Sequence, residues 1–246
     1  MAERHGKTAL HIPHPWLAYR RKHYPELDPA RRGTVVYFTH SNSTTTPVFE
    51  SLDAYMQSLR DLPAHFHPVV ICLSFHDVLK GMHRTLRPYG FPIVTAGTTN
   101  AQCFVDRFYR IARRFRYACS PNIGSHSYYL AEAGVPFFLY GPAPTYVIKG
   151  SRAVRDGELD LRDYGDEEDI ERFMALHKLF AEPLDVVSPA QRNAVNAYLG
   201  SDAPTSGERL YAELMASLRA NLPKIARLYA NQAGRMFARR LSFRTK

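Results

Sequence analysis

Residues 33 to 141 alternate between short β-prone runs and longer segments with helical periodicity. The β-prone runs are residues 34–39, 68–74, 92–96, 117–120 and 136–140. Apolar residues recur at helical spacing between them, in residues 49–62, 77–89, 100–115 and 124–133. Each crossover is long enough to return the chain parallel, and the runs are apolar on both faces, as in a sheet covered by helices on both sides. The pattern predicts an α/β fold with a doubly wound, Rossmann-like parallel sheet.

The flanking segments follow different patterns. Residues 40–47 contain turn and cap residues, and residues 142–165 form a loop too long for a simple connection. C-terminal helices are predicted at residues 166–181, 189–199 and 206–238, the last interrupted near Pro223. Residues 1–32 lack periodicity and are predicted to be an extended arm that docks on the domain. We therefore expect an arm (1–32), a Rossmann-like domain (33–146) and a loop with helices (147–246).

Composition narrows the class of protein. The chain has 246 residues, of which 45% are hydrophobic and 22% are charged, a composition that is typical of soluble globular proteins. No apolar run approaches the roughly 18 residues of a membrane span, and the first thirty residues lack the apolar stretch of a signal peptide, so we expect a cytoplasmic protein. The 3 cysteines have no C-x-x-C spacing, so reduced thiols are expected.

The net charge of +9 is concentrated at the ends of the chain. Residues 219–246 contain eight Lys/Arg and no acid, and the helix before them has an apolar stripe at Leu210, Leu214, Leu218, Leu222 and Ile225. That stripe either packs on its own domain or faces a partner, and we favour packing for residues 206–222. Residues 234–246 mix arginines with apolar residues, which suits an anionic membrane surface. The chain lacks the motifs of known nucleic-acid readers, so no nucleic acid is expected.

Polar residues cluster where the predicted strands end. In an open parallel sheet, ligands bind beyond the carboxyl ends of the strands. That rule selects residues 40–43, 75–77, 97–100, 120–126 and 140–142, which are rich in Ser, Thr, Asn, His and Gly. Each residue alone could be an ordinary turn or cap residue. Their shared edge favours a binding site.

The segment from Ser120 to Ser127 is the most specific of these. It leads from a strand into a helix whose first turn offers free N–H groups, where Gly124 permits close approach and Ser125 adds a hydroxyl. Such a helix start suits a phosphate, although Asn122 or Ser125 could instead simply cap the helix. The chain has neither G-x-G-x-x-G after the first strand nor a P-loop, and it lacks the G-x-S-x-G of a serine hydrolase.

Metal binding is not expected. His65 and His67 stand at the start of a strand and His76 at its far end, about 25 Å away at roughly 3.3 Å per residue. The acidic run at residues 166–169 fits the first turn of a helix, where carboxylates complement the helix dipole.

The sequence YACSPNIGSHSYYLAEAGVPFFLY over residues 117–140 resembles the nucleotide-binding half of GT-B glycosyltransferases. It is most similar to bacterial surface-polysaccharide enzymes of the polysialyltransferase and CDP-glycerol glycerophosphotransferase type. In their motif Asp-Tyr-Ser-Ser, the second serine matches Ser125, the first matches Gly124 and the aspartate matches Asn122. His76 occupies the place of the histidine in the family's His-Pro, with Asp77 in place of the proline. The resemblance covers roughly residues 33–141.

The resemblance implies transfer of a sugar from a nucleotide-activated donor to a glycan or lipid-linked acceptor in cell-surface polysaccharide synthesis. It implies a metal-independent enzyme with no cofactor, since the nucleotide-sugar is a substrate. The family's serines hold the donor phosphate, which assigns that role to Ser125, with His76 as a second contact. A GT-B cleft needs two such domains, so a separate chain could supply the second half. The alternative is a non-catalytic nucleotide-binding subunit or scaffold of a polysaccharide assembly complex. The candidate binding residues are Ser125, Gly124, Asn122, His76, Ser120, His40, Gly97, Thr98 and Gly141.

Overall fold

The computed structural model describes residues 11–42, 44–148, 153–155, 167–203 and 206–242. The first half contains α1 (Pro15–His23), β1 (Thr34–Tyr37), β2 (Thr45–Val48), α2 (Leu52–Arg60), β3 (Val69–Cys72), α3 (Phe75–Leu79), α4 (Met82–Leu86), β4 (Ile93–Val94) and α5 (Phe104–Ala112). The second half contains β5 (Tyr117–Ser120), α6 (Ser125–Glu132), β6 (Phe137–Leu139), β7 (Thr145–Ile148), β8 (Ala153–Arg155), α7 (Glu167–Leu179), α8 (Pro189–Leu199) and α9 (Gly207–Ser242).

The five predicted strands form one parallel sheet in the order β4-β3-β1-β5-β6. From β1 the chain first builds outward through β3 to β4, then returns to the other side of β1 with β5 and β6. The predicted doubly wound, Rossmann-like α/β fold is therefore confirmed. The change of direction creates a topological switch point between β1 and β5, where crevices open in such sheets.

Alternate residues of the strands pack into two separate hydrophobic cores, one on each face of the sheet. Val35 and Tyr37 face a core that contains residues of α1, α5, α6 and α8. Val36 and Phe38 face the opposite core, which contains residues of α2 and α4. Every residue of β1 is buried, because helices cover both faces of the sheet.

Two helical predictions needed correction. The predicted helix 77–89 is two short helices, α3 and α4, because Gly81 between them has a φ of +84°, which a continuous α-helix does not permit. The predicted break near Pro223 is absent, since α9 continues through it. The proline removes one backbone donor without ending the helix.

A second, antiparallel sheet in the order β2-β7-β8 was missed by the sequence analysis. It forms from parts of the segments predicted as a turn cluster and a long loop. Pro47 makes residues 45–48 a poor candidate for a central strand, but β2 is an edge strand, where a missing donor is tolerated.

The prediction of an extended N-terminal arm is wrong for residues 15–23, which form α1. The sequence of this helix shows no apolar periodicity because only one of its residues, Leu17, is buried. The helix is held by Arg20, whose Nε donates to Glu132 of α6 over 2.9 Å and whose Nη2 forms a second contact with the same carboxylate. The α1 part of the predicted arm thus docks on the sheet domain, as expected, but as a helix, and residues 1–10 lie outside the described residues.

The chain divides into two compact units, His14–Ser201 and a second unit that contains α9. Within the first, α8 begins with a capping box between Ser188 and Gln191 and ends at Gly200, whose φ is +62°. In the part of the chain that the structure describes, no helix is both long and apolar enough to cross a membrane.

Gly33 and Gly81 provide a matched test of the fold. Both have positive φ, but a Cβ on Gly33 would lie 2.1 Å from the Pro68 carbonyl oxygen, whereas one on Gly81 would meet nothing within 4 Å. We expect Gly81→Ala to lower the free energy of unfolding by about 1 kcal/mol, through backbone strain alone. Gly33→Ala should lower the free energy of unfolding by about 3 kcal/mol or more, because β1 and β3 must also separate locally. Urea denaturation measures the free energy of unfolding of both variants. Equal losses would contradict the close contact between Gly33 and the Pro68 carbonyl.

Candidate functional site

A cavity of about 500 Å³ opens at the switch point, beyond the carboxyl ends of β1, β3, β4 and β5. Its wall is built by the segments that follow these strands, together with the first turn of α6 and aromatic residues of α1 and α5. Its volume lies within the range of small-molecule sites.

Seven of the nine predicted binding residues line this cavity. They are His40, His76, Gly97, Thr98, Asn122, Gly124 and Ser125. The structure thus brings four of the five selected segments together; Ser43, at the end of the first, lies outside the described residues.

Ser120 and Gly141 do not line the cavity. Ser120 is fully buried, and its hydroxyl donates a hydrogen bond of 3.1 Å to Oδ1 of Asn122. Gly141 follows β6 and packs against Tyr55 of α2, where a Cβ would lie 2.3 Å from the ring. The expectation that residues 140–142 line this site is wrong, because β6 is an edge strand, one strand away from the switch point.

Asn122 joins three elements rather than capping α6. Its Oδ1 accepts from the hydroxyls of Thr39 and Ser120, and its Nδ2 donates to the Tyr146 hydroxyl of β7 over 3.1 Å. The side chain therefore ties the ends of β1 and β5 to the second sheet. Its position at the switch point is set by tertiary contacts.

The first turn of α6 leaves donors facing the cavity. The N-cap is Gly124, which has no side chain, and its own N–H donates to Ser127 Oγ over 3.0 Å. The amides of Ser125 and His126 have no acceptor among the described residues, and Ser125 is exposed. Neither Asn122 nor Ser125 is the helix cap, so the capping interpretation is wrong for both. This arrangement can accept an anion.

Asp77 fixes two of the segments that line the cavity. It is buried, and its Oδ1 accepts from the N–H and the hydroxyl of Ser41, at 3.0 and 2.6 Å. Its Oδ2 accepts from Ser74 Oγ at 2.6 Å. Asp77 thereby links the loop after β1 to the start of α3 and holds His76 at the cavity wall.

An aromatic wall completes the cavity and was missed by the sequence analysis. Trp16 of α1 packs on Tyr129 with ring centroids 4.4 Å apart and on Phe104 at 5.6 Å. Phe108 lies beside them and also lines the cavity. The periodicity of α5 marks Phe104 and Phe108 only as core residues. No local pattern identifies Trp16, because the Arg20–Glu132 contact that positions its helix joins distant parts of the chain.

His126 and Tyr37 contribute unpartnered polar atoms to the wall. Their rings stack with centroids 5.2 Å apart, and within the described chain neither the Tyr37 hydroxyl nor His126 Nε2 has a hydrogen-bond partner. Burial, with a smaller effect of His40, lowers the pKa of His126 to about 3. His126 is therefore neutral at physiological pH and offers a hydrogen bond rather than a charge.

The cavity wall contains few charges. Among its described lining residues there is no Lys, Arg, Asp or Glu. Arg107 lies close to the lining residue Gly97, and one of its guanidinium nitrogens would lie 3.1 Å from a Cβ on Gly97. No group of three or more potential metal ligands occurs among the described residues. Recognition of an anion here would depend on amide N–H groups, hydroxyls and imidazoles.

Comparison with models of protein families, with curated proteins and with solved structures gave no match. The resemblance to GT-B glycosyltransferases consequently stays a prediction.

The lowered pKa of His126 makes a testable contribution to stability. The ordinary pKa of histidine is 6.5, so as the pH falls below that value the unfolded chain binds a proton that folded His126 does not. This contribution is therefore complete above pH 6.5 and is lost progressively toward pH 3. We expect the wild-type protein to lose about 1 to 2 kcal/mol more between pH 7 and pH 5 than His126→Phe, which keeps the stacking on Tyr37. Urea denaturation of both proteins at both pH values measures this difference. Equal losses of stability in the wild-type protein and His126→Phe would show that the pKa of His126 is not lowered by folding.

Proposed function

We propose that the chain binds a nucleotide-activated sugar in the switch-point cavity and acts in glycosyl transfer during cell-surface polysaccharide synthesis in the cytoplasm. The observation that carries the proposal is the convergence of seven of the nine predicted binding residues on one cavity at the switch point. Nucleotides bind at this place in doubly wound sheets.

The start of α6 is the proposed phosphate site. The unpaired amides of Ser125 and His126 and the exposed Ser125 hydroxyl supply donors at the positive end of a helix. His76, held in place by the adjacent Asp77, would provide a second contact from the start of α3. A phosphate held by preformed donors requires no metal ion.

The aromatic wall is the proposed site of the nucleoside. Trp16, Phe104 and Tyr129 present ring surfaces on which a base can pack. Gly97 and Thr98, which also line the cavity, would contact the ribose, because glycine allows close approach and the threonine hydroxyl can bond to a sugar hydroxyl.

In transfer, the acceptor hydroxyl oxygen forms a bond to the sugar while the bond between the sugar and the donor phosphate breaks, and negative charge develops on the departing nucleotide. The α6 amides and Ser125 face the place where this charge would appear, so they would stabilise the leaving group. A general base must also take the proton of the acceptor hydroxyl. The described lining residues include no carboxylate, and both oxygens of Asp77, next to the lining residue His76, are occupied by the serines that it orients.

A second candidate is a non-catalytic nucleotide-binding subunit of a polysaccharide assembly complex. The observation that favours it is the absence of any carboxylate from the described cavity wall. Both candidates require donor binding, but only the first requires release of free nucleotide. Incubation of the protein with a bound donor and cell-envelope acceptors, followed by measurement of released nucleotide, distinguishes them.

Thermal shift with CMP, CDP, UDP and GDP tests the proposal directly. A ligand that binds only the folded chain stabilises it by about 2.7 kcal/mol at one hundred times its Kd. We expect at least one nucleotide to raise the Tm by roughly 5 to 10 °C. If none of the four raises the Tm at millimolar concentration, the proposed function is wrong.

Ser125→Ala and Ser51→Ala form a matched pair. Ser51 caps α2 outside the cavity by accepting from the Ala54 N–H at 3.1 Å, whereas Ser125 is exposed at the cavity. We expect Ser125→Ala to weaken binding of the stabilising nucleotide by about 1 to 2 kcal/mol with little change in Tm. Ser51→Ala should lower stability by about 1 kcal/mol and leave affinity unchanged. Calorimetric titration and melting curves measure both; the reverse pattern would return Ser125 to a structural role.

His76→Ala separates a phosphate contact from a base contact. Because the imidazole is proposed to meet phosphate, affinity for a nucleoside diphosphate should fall several-fold, while affinity for the matching nucleoside stays the same. Equal losses for the two ligands would mean that His76 only positions its loop.

A further inference from the structure

Helix α9 presents an apolar face to solvent. Tyr211, Leu214, Leu218 and Leu222 are exposed, with the three leucines between 46% and 59% accessible. At 3.6 residues per turn these four side chains fall within an arc of about 80°.

Cations flank this face on both sides. The same periodicity places Arg219 and Lys224, which are both exposed, about 60° to 80° beyond opposite edges of the apolar arc. Glu208 and Glu213 lie on the same two flanks three turns earlier, so the excess of cations begins at Arg219. The last 28 residues of the sequence contain eight Lys/Arg and no Asp or Glu. An apolar strip bordered by cations is the pattern of helices that lie in the plane of a membrane interface.

We propose that α9 docks on the surface of an anionic lipid bilayer, with its leucine face among the acyl chains and its cations at the headgroups. An anionic bilayer is favoured over other partners because its headgroups complement the excess of cations in this segment. A second copy of the helix lying alongside would bring together two segments with the same excess of positive charge. A nucleic acid would satisfy the cations but leave the leucines in water. The helix lies on the surface rather than crossing, because no described helix meets the requirements of a span.

Co-sedimentation of the full chain with vesicles tests the proposal independently of the nucleotide site. We expect binding to vesicles of phosphatidylcholine with phosphatidylglycerol at low salt, release in about 0.5 M NaCl, and at least tenfold weaker binding to pure phosphatidylcholine. Each cation near such a surface contributes about fivefold, so Arg219→Gln with Lys224→Gln should weaken binding to the anionic vesicles tenfold or more. Equal binding to neutral vesicles, or no binding to either, would overturn the proposal.

A pair of double variants isolates the apolar face. Leu214→Ser with Leu218→Ser removes two exposed leucines, while Ala216→Ser with Ala220→Ser introduces the same two hydroxyls without loss of large apolar side chains, on the opposite, exposed side of the helix. We expect at least a tenfold loss of vesicle binding for the first and less than a twofold change for the second. Circular dichroism shows whether both retain the helix. If the leucine variant binds like the alanine variant, or if wild-type protein dimerises in a concentration-dependent way that the leucine variant abolishes, the bilayer is the wrong occupant.

Discussion

The complete burial of the central strand is the constraint on which the sheet domain depends. Val35 and Val36 are adjacent, point to opposite faces and are both inaccessible to solvent. A strand buried in this way needs helices on both faces, and helices of sufficient length connect strands in parallel. Parallel strands in turn bring all their carboxyl ends to one edge. The reversal of strand order beside β1 then opens that edge into the cavity.

Two buried polar networks and one ion pair give the cavity its shape. Asp77 holds the loops after β1 and β3 in one arrangement, and Asn122 joins the ends of β1 and β5 to the second sheet. Arg20 and Glu132 bring α1 close enough for Trp16 to close the aromatic side. Such groups act as positioning residues, because loss of any one leaves its buried partners without hydrogen bonds. The cavity wall itself is left with donors and ring surfaces but few charges.

The two proposed interactions use separate residues and different physics. The cavity depends on directional hydrogen bonds from a helix start, whereas the exposed face of α9 depends on apolar area and non-directional charge. Salt should therefore affect the second much more than the first. Each proposal can consequently be tested without assuming the other.

Local sequence patterns predicted the five parallel strands, most of their connecting helices, and four of the five segments that meet at the cavity. These features depend on local periodicity and on a general rule of parallel sheets, so residues such as Ser125 and His76 could be placed in advance. Tertiary structure alone decided the rest. It made β2 a strand despite Pro47, because an edge can tolerate a missing donor, and it turned Gly141 away from the cavity, because β6 lies one strand beyond the switch point. It also brought Trp16 into the wall through an ion pair between residues 112 positions apart, a contact that no local pattern of the sequence encodes.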